Sequence, residues 1–149
     1  LISDAGTPTI SDPGYGLIRE CLKHEIRIIP IPGVSAITAA MSASGLPSDS
    51  FTFHGFLPQR KGRLKKIQDL SHIDNTIILF ESPYRLVKTL TQLLESLGDR
   101  SVVVGRELTK LYEEIIRGNL SKVLEYFSKS KVKGEIVIMI GKKDDRIHF

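Results

Sequence analysis

Cysteine is almost missing from this sequence. Its 149 residues contain one, Cys21, so no disulfide can form within the chain, and four scattered His add no zinc spacing. A reducing cytoplasm is therefore the expected setting, and no metal site is expected. No apolar run approaches the roughly 18 residues of a membrane span. No glycine loop leads into Lys-Ser or Lys-Thr, and there is no Gly-x-Gly-x-x-Gly or Gly-x-Ser-x-Gly. Those absences exclude a P-loop, a dinucleotide fingerprint and a nucleophile elbow. Internal repeats and low-complexity tracts are also missing. So is an initiator Met: the chain opens on Leu1-Ile2-Ser3 as if a strand were under way. We expect the numbering to start inside a domain whose earlier strands are not among these residues.

What is present is an ordinary globular composition, 41% hydrophobic and 26% charged. The net charge of +4 and the pI near 9.2 permit an anionic partner such as RNA, although surface lysine accounts for them as well.

Residues 1–45 read strand, loop, helix, strand, loop, helix, which is α/β wiring. The strands are residues 1–3 and Ile26–Ile29. The first helix is expected to start at Asp12-Pro13, with Asp as cap, and to bury Leu17, Ile18, Cys21 and Leu22. The second runs from Val34 to Ser44, closed by Gly45. The polar joint Leu46–Ser50 marks a boundary. We expect a remnant parallel α/β domain over 1–46, a complete mixed-sheet α/β domain over 47–141 and a charged tail over 142–149. The complete domain has expected strands at 51–56, 76–80, 101–104, 113–117 and 135–140. Its expected helices cover 63–70, with Leu64, Ile67 and Leu70 on one side, then Ser82-Pro83 to Gly98, then 120–128 after a Gly118-Asn119 turn. Leu86, Val87, Leu90, Leu93, Leu94 and Leu97 form the apolar face of the middle helix.

Six stretches carry chemistry. Ser3-Asp4-Ala5-Gly6-Thr7 leaves a strand end, where α/β sheets bind ligands, and Asp4 is placed to accept from a ribose or an amine. Pro32-Gly33-Val34-Ser35-Ala36 is a second such turn, and two converging turns signal a ligand more strongly than either alone. Gln59 to Lys66 holds five basic residues in eight, Arg60, Lys61, Arg63, Lys65 and Lys66, suited to RNA phosphates. Cations there oppose the dipole of the following helix. Glu81-Ser82-Pro83-Tyr84-Arg85 and Arg106-Glu107-Leu108-Thr109-Lys110 each follow a buried strand, and a helix joins them, so their carboxylates and cations are expected at one sheet edge. Glu113 and Arg117 share a strand face that would extend this cluster. Each stretch also has a plain reading: local caps and close packing for the turns, a solvated helix start for the basic run, and ion pairs such as Arg85 with Glu107 or Arg106 with Glu81 for the strand ends. His54, in an aromatic strand, is read as packed or surface histidine.

Taken in order, Ser3–Pro8 with Ser11–Gly14, then Pro30–Ala36, resemble the tetrapyrrole methylase family, the class III S-adenosylmethionine-dependent methyltransferases. Ser42–Pro47, Phe56-Leu57-Pro58, Glu81–Arg85 and Arg106–Lys110 are similar to one branch of it, bacterial enzymes acting on the 2′-oxygen of a cytidine in 16S ribosomal RNA. The likeness covers about residues 1–141. It implies a two-domain α/β enzyme, a homodimer, with S-adenosyl-L-methionine between the domains. Carried over by motif, Asp4, Ala5, Gly6, Thr7, Ser35 and Ala36 would line the cofactor site. The family's first glycine loop is not among these residues. From the strand-edge argument, Glu81, Glu107 and Lys110 are candidates to deprotonate the hydroxyl, with Arg85, Arg106 and the 60–66 run holding phosphates. A tetrapyrrole methylase of the same fold, and a non-catalytic RNA-binding or dimerisation module, are the alternatives.

Overall fold

Strict alternation along the strands divides the core in two. The computed structural model describes residues 1–129 and 131–143. Their elements are α1 (Tyr15–Lys23), α2 (Ala36–Ser44), β1 (Phe51–Phe56), α3 (Arg63–Leu70), β2 (Thr76–Glu81), α4 (Leu86–Leu97), β3 (Ser101–Arg106), β4 (Glu114–Asn119), α5 (Leu120–Ser128) and β5 (Ile136–Ile140). The strands form one sheet in the order β1-β2-β5-β3-β4. β1 pairs parallel with β2, and the remaining pairs are antiparallel. β5 lies between β2 and β3, so those two run parallel without touching. The expected five strands and mixed sheet are present.

Ile77, Leu79, Val102, Val104, Ile136, Ile138 and Ile140 face one layer, made by α3, α4 and α5. Ile78, Val103, Val137 and Met139 face the other side, where Ala40 and Met41 of α2 and Leu46 cover them. Each fully buried aliphatic side chain contributes about 1.5–3 kcal/mol. In α4, Leu86, Leu90, Leu93 and Leu97 are buried, an i, i+4, i+7, i+11 stripe that the sequence shows directly. Val87 is exposed and Leu94 sits at the margin of the core.

α2 is tied to the sheet from the side. The Arg117 guanidinium on β4 donates to the carbonyls of Ser44, at 3.2 Å, and of Ala43. It thereby satisfies acceptors that a helix C-terminus leaves free. Gly45 ends the helix in the left-handed conformation, with φ 78°.

Several expectations fail for physical reasons. Residues 1–3 and Ile26–Ile29 form no strand. A strand needs a neighbouring strand for its backbone groups, and among the described residues neither segment pairs with one; the Ile26 N–H instead turns back to the Cys21 carbonyl at 2.9 Å. Leu1, Ile2, Ile28, Ile29 and Ile31 stand exposed, as do Leu17 and Leu22 of α1, which buries no residue. α1 begins at Tyr15, after Gly14, because the Asp12 carboxylate is occupied by the Ser3 hydroxyl instead of capping the helix. Likewise α4 begins at Leu86, since Ser82–Arg85 closes its own turn through an Arg85 N–H to Ser82 carbonyl bond of 2.9 Å. Gly118 and Asn119 belong to β4 rather than to a turn. α3 is rotated from its expected orientation: Arg63, Ile67 and Leu70 face inward, and Leu64 is 60% exposed. Of the expected tail, residues 144–149 lie outside the described residues.

Candidate functional site

The two small-residue turns meet. The Thr7 hydroxyl donates to the Val34 carbonyl at 3.2 Å, joining the Asp4–Thr7 loop to the turn that opens α2. Gly6 has φ +70°, and a Cβ there would meet nothing within 4 Å. The backbone at Gly6 is thus open to close approach, in a conformation glycine adopts freely. Asp4, Ala5, Gly6, Thr7 and Ala36 are exposed, and Ser35 is half-buried. No side chain caps the N-terminus of α2, so its first N–H groups remain free to donate. Small side chains, free donors and one carboxylate suit a nucleoside-bearing ligand with an amino-acid arm. These residues fit S-adenosylmethionine on that ground.

At the C-terminal ends of β2 and β3 the charged residues divide into three groups. The first is buried. Glu81 shares the parity of Ile77 and Leu79, so its carboxylate enters the layer of α3 and α4, and its side chain is wholly inaccessible. Arg85 pairs with it at 2.6 Å, the Thr89 hydroxyl donates at 2.6 Å, the Ser82 N–H at 2.7 Å, and Arg63 lies at 3.5 Å. Arg63 in turn donates to Thr89, Gln92 and the Pro58 carbonyl. This explains the rotation of α3: Arg63 is 4% exposed and committed inward, so it does not present itself to RNA phosphates as expected. Arg85 also reaches the Leu57 carbonyl, at 3.4 Å. The network therefore binds the Phe56-Leu57-Pro58 and Glu81–Arg85 stretches to one another.

The second group surrounds Glu107. It accepts from the Glu135 N–H at 2.8 Å and from Lys110 at 3.0 Å, and Lys110 also bonds Glu135 at 2.9 Å. The Glu135 N–H, then Lys110, hold the Glu107 carboxyl below the usual glutamate range. Glu135 and Glu107 together raise the Lys110 ammonium above the usual lysine range. Glu107 and Thr109 carry φ of +50° and +65° without being glycine, a strain that the surrounding contacts must maintain.

The third group is Arg106, Glu114 and Tyr126. Arg106 Nε donates to Glu114 at 3.0 Å and the Tyr126 hydroxyl donates to it at 2.6 Å. Burial opposes ionisation of Glu114, but the Tyr126 hydroxyl and Arg106 outweigh it and lower its pKa. A cleft of about 380 Å³ lies among Arg106, Glu107, Tyr112, Lys133 and Gly134, joining the second and third groups.

So Glu81 and Glu107 share a sheet end but not a site. The ion pairs also differ from those expected: Arg85 takes Glu81, and Arg106 takes Glu114. Glu113 precedes β4 and joins the Glu107 turn, accepting from the Thr109 N–H, whereas Arg117 does not extend the cluster because it is spent on α2. Thr89, Gln92, Gly134, Glu135 and Tyr126 are missed from sequence. Thr89 and Gln92 look like polar positions of an amphipathic helix until Glu81 and Arg63 are seen to turn inward, and the other three join their groups across 12 or more residues. Arg60, Lys61 and Lys65 are exposed, Lys66 is half-buried, and among the described residues none of the four forms an ion pair. His54 is packed: burial and then Lys66 lower its pKa, and its buried Nε2 has no partner among the described residues.

The lowered carboxylates give a pH prediction. Glu107 and Glu114 bind protons more weakly folded than unfolded. Their stabilisation is complete above the ordinary glutamate pKa and is lost as pH falls through and below it. The urea midpoint should therefore fall between about pH 5 and pH 3, and less so for Glu107→Gln. An identical acid loss in that variant would show that Glu107 does not contribute.

The described residues contain no cluster of His, Cys, Asp and Glu able to hold a metal ion, and no helix long and apolar enough to cross a membrane. Comparison with known proteins gives a consistent result. The chain is 44% identical over 144 residues to a Thermotoga maritima protein named ribosomal RNA small subunit methyltransferase I, covering 97% of this chain and 65% of that protein. It is 50% identical to the Mesorhizobium japonicum protein of the same name, covering 95% of this chain and 49% of that protein. The chain thus spans about half to two thirds of the length of these relatives. Its fold matches the methyltransferase CobJ with a TM-score of 0.70 at 18% identity, over 96% of this chain and 64% of that one. It also matches a Thermus thermophilus uroporphyrin-III C-methyltransferase, complexed with S-adenosyl homocysteine, with a TM-score of 0.63 at 19% identity, over 91% of this chain and 62% of that one. The family profile for tetrapyrrole (corrin/porphyrin) methylases matches residues 1–124, and the chain belongs to that family.

Proposed function

We propose that the protein carrying this sequence methylates the 2′-oxygen of a cytidine in 16S ribosomal RNA, in the cytoplasm and as a homodimer, using S-adenosyl-L-methionine. The observation that carries the reading is 44–50% identity, over nearly the whole chain, to proteins named as small-subunit ribosomal RNA methyltransferases. Asp4–Thr7 and Ser35-Ala36 hold the cofactor, which supplies an activated methyl group when bound. The residues of the chain then have to place a ribose hydroxyl and take its proton. Glu107 is the carboxylate we assign to accept the proton, because Glu81 is sealed in the buried network. The Glu135 N–H and Lys110 keep Glu107 ionised but make it a weaker base, so it must be freed from them as substrate binds. Lys110, held protonated, serves as a cation toward phosphate rather than as a base. Arg106 joins it there, while Arg60, Lys61, Lys65 and Lys66 hold phosphates farther along the strand. Glu81 acts through Arg85, which it orients.

Two measurements test this. Calorimetry of the full-length protein with S-adenosylhomocysteine should show binding, and no heat at high protein concentration would end any methylase reading. Mapping ribose methylation in 16S RNA with and without the gene should show one cytidine losing its mark. An unchanged map would favour a tetrapyrrole substrate instead.

A further inference from the structure

Phe56 and Tyr84 are exposed aromatic side chains at the ends of neighbouring strands, and the loop after Phe56 carries Arg60 and Lys61, which form no ion pair among the described residues. Phe56 ends β1, an edge strand, and is 52% exposed, while Tyr84 is 87% exposed in the turn after β2. β1 and β2 are parallel neighbours with Phe56 opposite Phe80, so both chain ends emerge on one side. The Phe56 ring rests edge-on against Phe80, with centroids 5.7 Å apart. The Tyr84 turn is braced next door: Arg85 pairs with Glu81 and touches the Leu57 carbonyl. The α3 entry is braced on the same network. Arg63 bonds the Pro58 carbonyl through its side chain and the Arg60 carbonyl through its N–H. Arg60 and Lys61 follow Phe56 by four and five residues, in the loop that this network fixes between β1 and α3.

The Tyr84 ring is exposed on a turn that Ser82 and Arg85 bond to Glu81, so the ring is not needed to cover the core. Aromatic faces beside cations are what an unpaired nucleic-acid strand requires, stacking for the bases and charge for the phosphates. We infer that Tyr84 and Phe56 form a stacking platform for unpaired bases of RNA, with Arg60 and Lys61 on the adjoining phosphates. The inference rests on the RNA reading above and narrows it: the substrate is engaged as an open strand or loop, not as a duplex. Arg85 supports the platform and is not itself required to touch RNA.

The test uses the full chain and two fluorescent RNAs at one fixed salt concentration, a single strand of about 12 nucleotides and a hairpin duplex. Tyr84→Ala should weaken strand binding about tenfold and leave duplex binding unchanged. Tyr84→Phe should bind the strand as wild type does, since stacking needs the ring and not the hydroxyl. Phe56→Ala should follow Tyr84→Ala. Tyr84 is almost fully solvated, so its loss leaves folding intact. Wild-type strand affinity in Tyr84→Ala would overturn the inference while leaving the RNA reading in place. Equal loss of strand and duplex would overturn it too, by pointing to charge alone. Wild-type protein that binds neither RNA would overturn both.

Discussion

Glu81→Ala is expected to destabilise the fold by about 3–5 kcal/mol, because it strands a buried cation. The Glu81 carboxylate is inaccessible, and the Arg63 side chain facing it is 5% exposed. Without Glu81, Arg63 keeps neutral acceptors in Thr89, Gln92 and Pro58 but loses the only carboxylate facing it among the described residues. Arg85 and the Ser82 N–H lose their acceptor as well. Domains of this size have about 5–15 kcal/mol of stability in total, so the change is severe. It should appear as a lower urea midpoint with unchanged slope. The Glu125–Lys129 pair, 69% exposed on both sides, is the internal contrast: Lys129→Ala should change stability by less than about 0.5 kcal/mol. A similarly small loss for Glu81→Ala would mean that water reaches the network. Glu81→Gln keeps the shape and tests the chemistry. If it folds and the full-length protein retains the proposed RNA methylation, Glu81 positions Arg85 and does not accept the proton.

The same residue shows what sequence reveals and what it hides. Strand parity after Thr76 places Glu81 on the face of Ile77 and Leu79, so its burial was available from alternation alone. The helical stripe of α4 and the strands around it were equally legible, because their apolar periodicity is local. The insertion of β5 between β2 and β3 was not, since strand order depends on pairing across the chain. Nor was the rotation of α3: Leu64 looks like the core residue until Glu81 is known to need Arg63. The apolar run Ile26–Ile29 reads as a strand from composition, but strand structure also needs a neighbouring backbone. For the site, α/β wiring led to the expectation that the two turns converge, and the Thr7–Val34 bond joins them, although the strands which that wiring assumed do not form among the described residues. The Glu107–Gly134–Glu135 contact did not, because no local pattern links residues some 27 apart.

That contact gives the second large effect. Gly134 sits at φ +93°, and a Cβ there would lie 2.4 Å from Glu107 Cγ and 2.7 Å from its Oε1. Glu107 has little room to yield. Its N–H donates to the Glu135 carbonyl at 2.9 Å, and its carboxylate accepts from the Glu135 N–H and Lys110. Gly134→Ala should therefore cost about 2–4 kcal/mol, from overpacking together with a left-handed backbone. The two causes can be separated. Glu107→Ala removes the colliding Cγ but leaves the backbone strain at residue 134. The double variant should then lose about 1 kcal/mol less than the two single losses added together. Agreement with the sum within about 0.5 kcal/mol would show that the two residues do not share space in solution. Activity supplies an independent reading. If Glu107 takes the hydroxyl proton, displacing it by about 1 Å through Gly134→Ala should slow methylation by roughly a hundredfold at saturating cofactor. A folded Gly134→Ala enzyme with wild-type turnover would remove Glu107 from the chemistry and leave it as a brace for the strained turn that follows β3.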